Sequence, residues 1–236
     1  MDGWRGRLGL VVPSANTVNE PEFYRFLPKG VSLHTSRMRL EEANVESLSD
    51  MTADIERCGE LLGTANVDVV AYGCTTGSLF KGVDYPSVVE QKLSQAADAP
   101  AISTANAVRN AFDTLGGDSV AVTTPYTDEL NDLVVRFIEE SGFEVTEISG
   151  LGLENGDNIV EVPPEKVYEE ALNVDATEAD ILFISCTGYR TFDVIEYIES
   201  DLNLPVVSSN QATLWESLRI LGVDYSSFDL GRLYML

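Results

Sequence analysis

Two short stretches carry the residues able to do chemistry. Asp68–Ser78 reads Asp-Val-Val-Ala-Tyr-Gly-Cys-Thr-Thr-Gly-Ser, and Asp180–Thr191 reads Asp-Ile-Leu-Phe-Ile-Ser-Cys-Thr-Gly-Tyr-Arg-Thr. In each, an acidic residue opens an apolar run that ends in a Cys-Thr pair, at the C-terminal end of a predicted strand. Open parallel α/β sheets place their ligand sites there. A cysteine just ahead of a helix N-terminus is expected to feel a positive potential and to reach the thiolate near neutral pH. Two such cysteines, Cys74 and Cys186, allow two kinds of reaction. One thiolate can add to carbon while the other thiol supplies a proton, or the pair can act as acid and base on opposite faces of one carbon. Repulsion between two thiolates predicts one thiol and one thiolate at rest. The alternative is that both are small buried residues filling strand ends.

The neighbours of these cysteines point to a carboxylate ligand. Thr75, Thr76, Thr187 and Gly188 add hydroxyl and backbone N–H donors suited to carboxylate oxygens. Pro13, Ser14 and Asn16, with the N–H groups around them, and Tyr126 are expected to face the same cleft. Such a site holds a dicarboxylate with neutral donors, without an ammonium that would pair with a thiolate. Three cysteines and one histidine, His34, make neither a disulfide framework nor a zinc set. No P-loop or GxGxxG follows a strand, so no nucleotide cofactor and no metal are expected.

With 39 acidic and 15 basic residues, four of them lysines, the net charge of −24 repels nucleic acid and anionic membranes. The acids are scattered through predicted helices, which suggests adaptation to high intracellular salt. Apolar runs are too short for a membrane span. Met1–Arg7 leads into the first strand without a signal-peptide core, which predicts a cytoplasmic protein.

The elements that must position the cysteines alternate strand and helix. Strands are expected at Arg7–Pro13, Val31–Met38, Val67–Gly73 and Ala99–Ser103. Helices are expected from Asn19, over Ser47–Ala65, over Pro86–Ala97 and over Asn106–Leu115. The order then restarts, with strands at Gly117–Pro125, Phe143–Ser149, Ala179–Ser185 and Leu204–Ser208. The helices of this half fall at Asp128–Ser141, Pro163–Val174, Thr191–Ser200 and Gln211–Leu221. Pro13 to Cys74 spans 61 residues, as does Pro125 to Cys186. The expected fold is α/β, with two similar Rossmann-like parallel-sheet domains related by a pseudo-twofold and the active site in the cleft between them. The division is 1–114 plus 211–236 for one domain and 115–210 for the other. Cys58 is assigned to a helix's apolar face. Trp4, Trp215 and the Leu233–Leu236 tail would serve either core packing or a homo-oligomer interface.

Several motifs together resemble maleate cis-trans isomerase, of the aspartate/glutamate racemase superfamily, across essentially the whole chain. They are Pro13-Ser14-Ala15-Asn16-Thr17, Glu20-Pro21-Glu22, Ser36-Arg37-Met38, Tyr72-Gly73-Cys74, Pro125-Tyr126, Asp157-Asn158 and Ser185-Cys186. The resemblance implies a cofactor-free enzyme in which Cys74 attacks an alkene carbon of maleate and Cys186 donates a proton. It also implies that Asn16, Tyr126 and Asn158 bind the carboxylates. Thr75-Thr76-Gly77-Ser78 and Val206-Val207-Ser208-Ser209 look closer to arylmalonate decarboxylase. That likeness implies a carboxylate hole at Thr75, Thr76 and Tyr126, with Cys186 as sole acid, and Cys74 departs from it. Amino-acid racemases are similar through the paired cysteines, but they carry an acid where this chain has Pro13-Ser14-Ala15. Isomerisation of maleate or a similar small dicarboxylate is therefore expected, with decarboxylation and then racemisation as alternatives. The non-enzyme alternative is a two-lobed carboxylate-binding protein. Arg190 would either touch a carboxylate or cap a helix.

Overall fold

The computed structural model describes residues 3–40, 44–154 and 156–236, and only the backbone of residue 157. Two four-stranded parallel sheets form its frame. The first holds β1 (Gly6–Pro13), β2 (Val31–Met38), β3 (Val69–Tyr72) and β4 (Ala101–Ser103) in the order β2-β1-β3-β4. The second holds β5 (Ser119–Thr124), β6 (Glu144–Gly150), β7 (Ile181–Ile184) and β8 (Val206–Ser208) in the order β6-β5-β7-β8. The repeat expected from the 61-residue spacing is thus a repeat of topology. The central strands β3 and β7 read as unbroken apolar runs and are buried throughout, as strands of parallel sheets covered on both faces are.

The acids that open β3 and β7 have a structural task. Asp68 Oδ2 accepts the Arg7 N–H at 2.7 Å, and Asp180 Oδ2 accepts the Ser119 N–H at 3.1 Å, each across 61 residues. Each ties the start of one central strand to the start of its neighbour. At the other end the same symmetry sets the helix caps. Ser103 accepts the Asn106 N–H, and Ser208 forms a capping box with Gln211.

The first half continues with α1 (Asn19–Phe26), α2 (Val45–Met51), a 3₁₀ turn at Thr52–Asp54, α3 (Ile55–Thr64), α4 (Thr75–Leu79), α5 (Tyr85–Ala97) and α6 (Thr104–Leu115). In the second half are α7 (Asp128–Glu140), α8 (Gly156–Val160), α9 (Pro164–Asn173), α10 (Ile195–Leu202), α11 (Ser209–Ile220) and a 3₁₀ turn at Arg232–Met235. The sequence differs in three places. The helix expected over Ser47–Ala65 breaks at Thr52–Asp54, where Asp54 turns its carboxylate to the Arg39 N–H and Arg57. Two five-residue helices, α4 and α8, are too short to leave a periodic pattern. Helix α10 starts at Ile195 rather than Thr191, and the Thr191 and Phe192 N–H groups ahead of it are bound by Glu22.

Helix α11 packs against α6 and also touches β3, β4 and β8, so it is shared between the two sheets. Trp215, Leu233 and Tyr234 are core residues, whereas Trp4, Met235 and Leu236 are exposed. Cys58 is fully buried, as its helical position predicted. Among the described residues, no helix is long and apolar enough to cross a membrane.

Candidate active site

Both cysteines open into one cavity at the C-terminal ends of β1, β3, β5 and β7. Its lining includes Pro13, Asn16, Cys74, Thr75, Thr76, Tyr126, Cys186, Thr187 and Gly188, all expected from sequence. The structure adds an apolar wall of Ala15, Leu40, Ile159 and Val160, with Gly156 beside it. Among the described residues, none that lines the cavity carries a cationic side chain.

Two expected ligands lie elsewhere. Ser14 is exposed, and its hydroxyl donates to Leu40 O (3.1 Å) and accepts the Leu40 N–H (3.0 Å). It therefore shapes the pocket through Leu40 instead of lining it. Asn158 is exposed and outside the lining. Positions 156, 159 and 160 share the inward face of α8 at i, i+3 and i+4, which leaves 158 on the other face. Arg190 is the device that holds this helix. Its guanidinium donates to Val160 O and, at 3.2 Å, to Val162 O, so it caps α8 rather than reaching into the pocket.

Cys74 stands at the N-cap of α4 with extended backbone (φ −148°, ψ 111°). Burial pushes its thiol up to about 12, against the Gly77 N–H, which favours the thiolate. The nearby Cys186 charge raises it further, and the Thr76 hydroxyl lowers it. Burial likewise raises Cys186, opposed by the Tyr126 hydroxyl and the N–H groups of Gly188 and Tyr189. Burial therefore works against the neutral-pH thiolate expected from the sequence at both cysteines. A five-residue α4 has a weak dipole, and Cys186 is followed by a turn, so desolvation wins at both sites. Each sulfur has donors placed to receive a thiolate.

The backbone of Cys186 is strained. Its φ of 147° lies where non-glycine residues rarely sit, at a cost of roughly 1–3 kcal/mol. What holds it there is Ser209, a fully buried residue at the start of α11. Ser209 Oγ accepts the Cys186 N–H at 3.0 Å and the Thr75 hydroxyl at 2.8 Å, so one oxygen joins the two cysteine turns. Thr187 makes a second joint. Its hydroxyl donates to Gly73 O at 3.2 Å and accepts from Asn16 Nδ2 at 3.0 Å. Asn16 Oδ1 meanwhile accepts the N–H groups of Val18 and Asn19, which starts α1. Gly77 has no room for a side chain. A Cβ there would lie 2.7 Å from Met51 Cε and 2.8 Å from Cys74 Sγ.

Sequence reasoning missed Ser209 and Gly77 as site residues. Ser208-Ser209 after a strand reads as a helix cap, and Gly77 as turn composition. Neither signal tells that a side chain reaches across to the other half.

This geometry has relatives. The family model for arylmalonate decarboxylase matches residues 8–234. A maleate isomerase from Geobacillus stearothermophilus is 30% identical over 231 residues, covering 92% of each chain. Among solved structures, a cysteine-to-alanine variant of maleate isomerase Iso from Pseudomonas putida S16, with maleate, superposes with a TM-score of 0.93 at 27% identity over 97% of each chain. Maleate cis-trans isomerase from Nocardia farcinica, solved as a cysteine-to-serine mutant with a covalently bound succinylcysteine intermediate, has a TM-score of 0.92 at 28% identity over 97% of this chain and 98% of its own. With a full-length family match and a relative of this identity and coverage, the chain belongs to the arylmalonate decarboxylase family, within which its curated relatives include maleate isomerases.

Proposed function

We propose that this protein is a cofactor-independent isomerase that converts maleate, or a closely similar cis-dicarboxylate, to the trans isomer through a Cys74 adduct. The observation that carries this reading is the pair of thiols lining one cavity that offers neutral donors and no cation. The Thr76 and Tyr126 hydroxyls and the second N–H of Asn16 Nδ2 are the candidate carboxylate donors, since the Thr75 and Thr187 hydroxyls already donate to Ser209 Oγ and Gly73 O.

The steps balance without a redox partner. The Cys74 proton passes to a substrate carboxylate, which arrives ionised in a pocket that lacks a neutralising cation. Cys74 Sγ bonds one alkene carbon, and the π electrons move to the other carbon, stabilised by its carboxyl group. Cys186 gives that carbon a proton and becomes a thiolate, received by the Tyr126 hydroxyl and the Gly188 N–H, which lies 3.2 Å from Cys186 Sγ. The former double bond is now single and rotates. The Cys186 thiolate takes the proton back, the C–S bond breaks, and Cys74 leaves with its electron pair. The substrate carboxylate then returns the proton to Cys74. The apolar wall of Leu40, Ile159 and Val160 limits water and favours return of the proton over release of a hydrated product.

Decarboxylation of a malonate derivative is the second reading, favoured by Thr75, Thr76 and Tyr126 lining the same cavity as Cys186. Proton NMR of maleate and phenylmalonate with wild type, Cys74→Ala and Cys186→Ala separates the two. The isomerase reading expects fumarate from wild type only. With Cys186→Ala it expects a one-maleate mass increase on the Cys74 peptide. Phenylacetate from wild type and Cys74→Ala alike would move the assignment to decarboxylase. The acidic surface further supports a cytoplasmic setting at high salt.

A further inference from the structure

Behind the pocket lies a carboxyl group that this chemistry does not use. Glu22 of α1 is buried. Its Oε1 accepts the backbone N–H groups of Thr191 (2.7 Å) and Phe192 (3.0 Å), and its Oε2 accepts Asn210 Nδ2 (2.6 Å). The same Nδ2 lies 3.1 Å from Thr187 O and 3.5 Å from Tyr189 O, while Asn210 Oδ1 accepts from Asn19 Nδ2. Asn210 thus cannot turn over without setting its oxygen against two carbonyls.

Among the described residues, every hydrogen-bond partner of the Glu22 carboxyl is a donor. That arrangement accepts a carboxylate and has no acceptor for a carboxyl proton. The charged groups acting on it are Arg25, on the same helix, and Asp193. Arg25 is engaged by Asp193 at 2.8 and 2.5 Å and does not neutralise Glu22. The residues Glu22 reaches, directly or through Asn210, span Thr187 to Phe192, the turn that begins at Cys186.

We propose that Glu22 is a positioning residue of the isomerisation: as a carboxylate it fixes the Cys186 turn through Asn210 and the Thr191 and Phe192 amides, and its protonation releases that turn. The inference rests on the isomerase reading only for its kinetic readout. Burial pushes Glu22 up to about 7, with Asp193 adding to the rise and the three donors opposing it, so the change falls near neutral pH.

The test is an amide NMR titration of the full chain from about pH 5.5 to 8.5, paired with kcat at saturating maleate. The expected result is one titration curve, with a midpoint near neutrality, for the amides of Thr191, Phe192 and Cys186–Tyr189. Wild-type kcat should follow that curve, falling about ten-fold per unit below the midpoint. In Glu22→Gln the side-chain amide sets a donor against Asn210 Nδ2. That variant should lose the titration and most of kcat at every pH, with KM moved far less. Wild-type kcat and pH profile in Glu22→Gln would overturn the proposal. So would Thr191 and Phe192 amides that do not titrate, or that titrate while Cys186–Tyr189 stay still. If Glu22→Gln fails to fold, the wild-type titration decides alone. If wild type turns over no maleate, the substrate assignment fails, while the amide titration still decides the role of Glu22.

Discussion

Replacing Ser209 by alanine removes one oxygen and should disturb both halves of the site. Two buried donors, the Cys186 N–H and the Thr75 hydroxyl, lose their acceptor. An unsatisfied buried donor costs about 1–3 kcal/mol. Part of that loss is offset as Cys186 leaves its φ of 147°, because strain of this kind stores roughly 1–3 kcal/mol. Two such losses less the released strain leave a destabilisation of about 1–3 kcal/mol, or a fall in Tm of roughly 3–9 °C for a chain of this size. The kinetic effect should be larger than this implies for binding. Relaxation of Cys186 moves the proton donor away from the carbon it serves, and a displacement of about 1 Å can cost on the order of 100-fold in rate. The expected outcome is therefore a kcat lower by about two orders of magnitude with a smaller change in KM, read by fumarate formation under saturating maleate. Differential scanning calorimetry supplies the stability half. A Ser209→Ala protein with wild-type Tm and wild-type kcat would refute the claim that this oxygen holds the Cys186 backbone.

Other perturbations probe separate parts. Gly77→Ala forces a methyl against Met51, Cys74 and the Tyr72 hydroxyl. It should cost about 1–3 kcal/mol by overpacking and abolish adduct formation at Cys74, checked by denaturation and intact mass. Because burial raises the Cys74 thiol to about 12, its alkylation by iodoacetamide in the free protein should keep rising with pH through 10. A plateau below pH 8 would mean a thiolate at rest. Arg190→Ala frees the Val160 and Val162 carbonyls and loosens the wall of α8. KM for maleate should rise several-fold with kcat nearly kept, and unchanged KM would show that the wall is held otherwise. With a net charge of −24, thermal stability should climb by several degrees from about 0.1 to 2 M NaCl, and a flat response would count against salt adaptation.

The frame was legible because its signals are local. Apolar strands and their alternation with helices needed only adjacent residues to be read, and with the equal 61-residue spacings they led to two sheets of the same order. Cys74, Cys186 and most of their neighbours followed, since strand ends in such sheets converge. The misplaced residues are those whose role depends on a face or a partner. Asn158 falls on the outer side of a helix five residues long, and Ser14 spends its hydroxyl on Leu40. The upward push of burial on both thiols was out of reach for a related reason. Helix position can be read from sequence, but burial at a site enclosed by both halves is a property of the assembled chain.

The start of α11 concentrates three unlike tasks in three consecutive residues. Ser208 closes its own helix, Ser209 joins the turns of the two cysteines, and Asn210 links Glu22 to the carbonyl beside Cys186. A change at any one of them alters the setting in which the other two work, so their effects should be strongly non-additive. Such a segment is a poor place for new specificity to arise by single steps. Leu40, Ile159 and Val160 line the cavity but no side-chain hydrogen bond ties them to the cysteines, so the apolar wall is where a different acid could be admitted while the thiol pair stays intact.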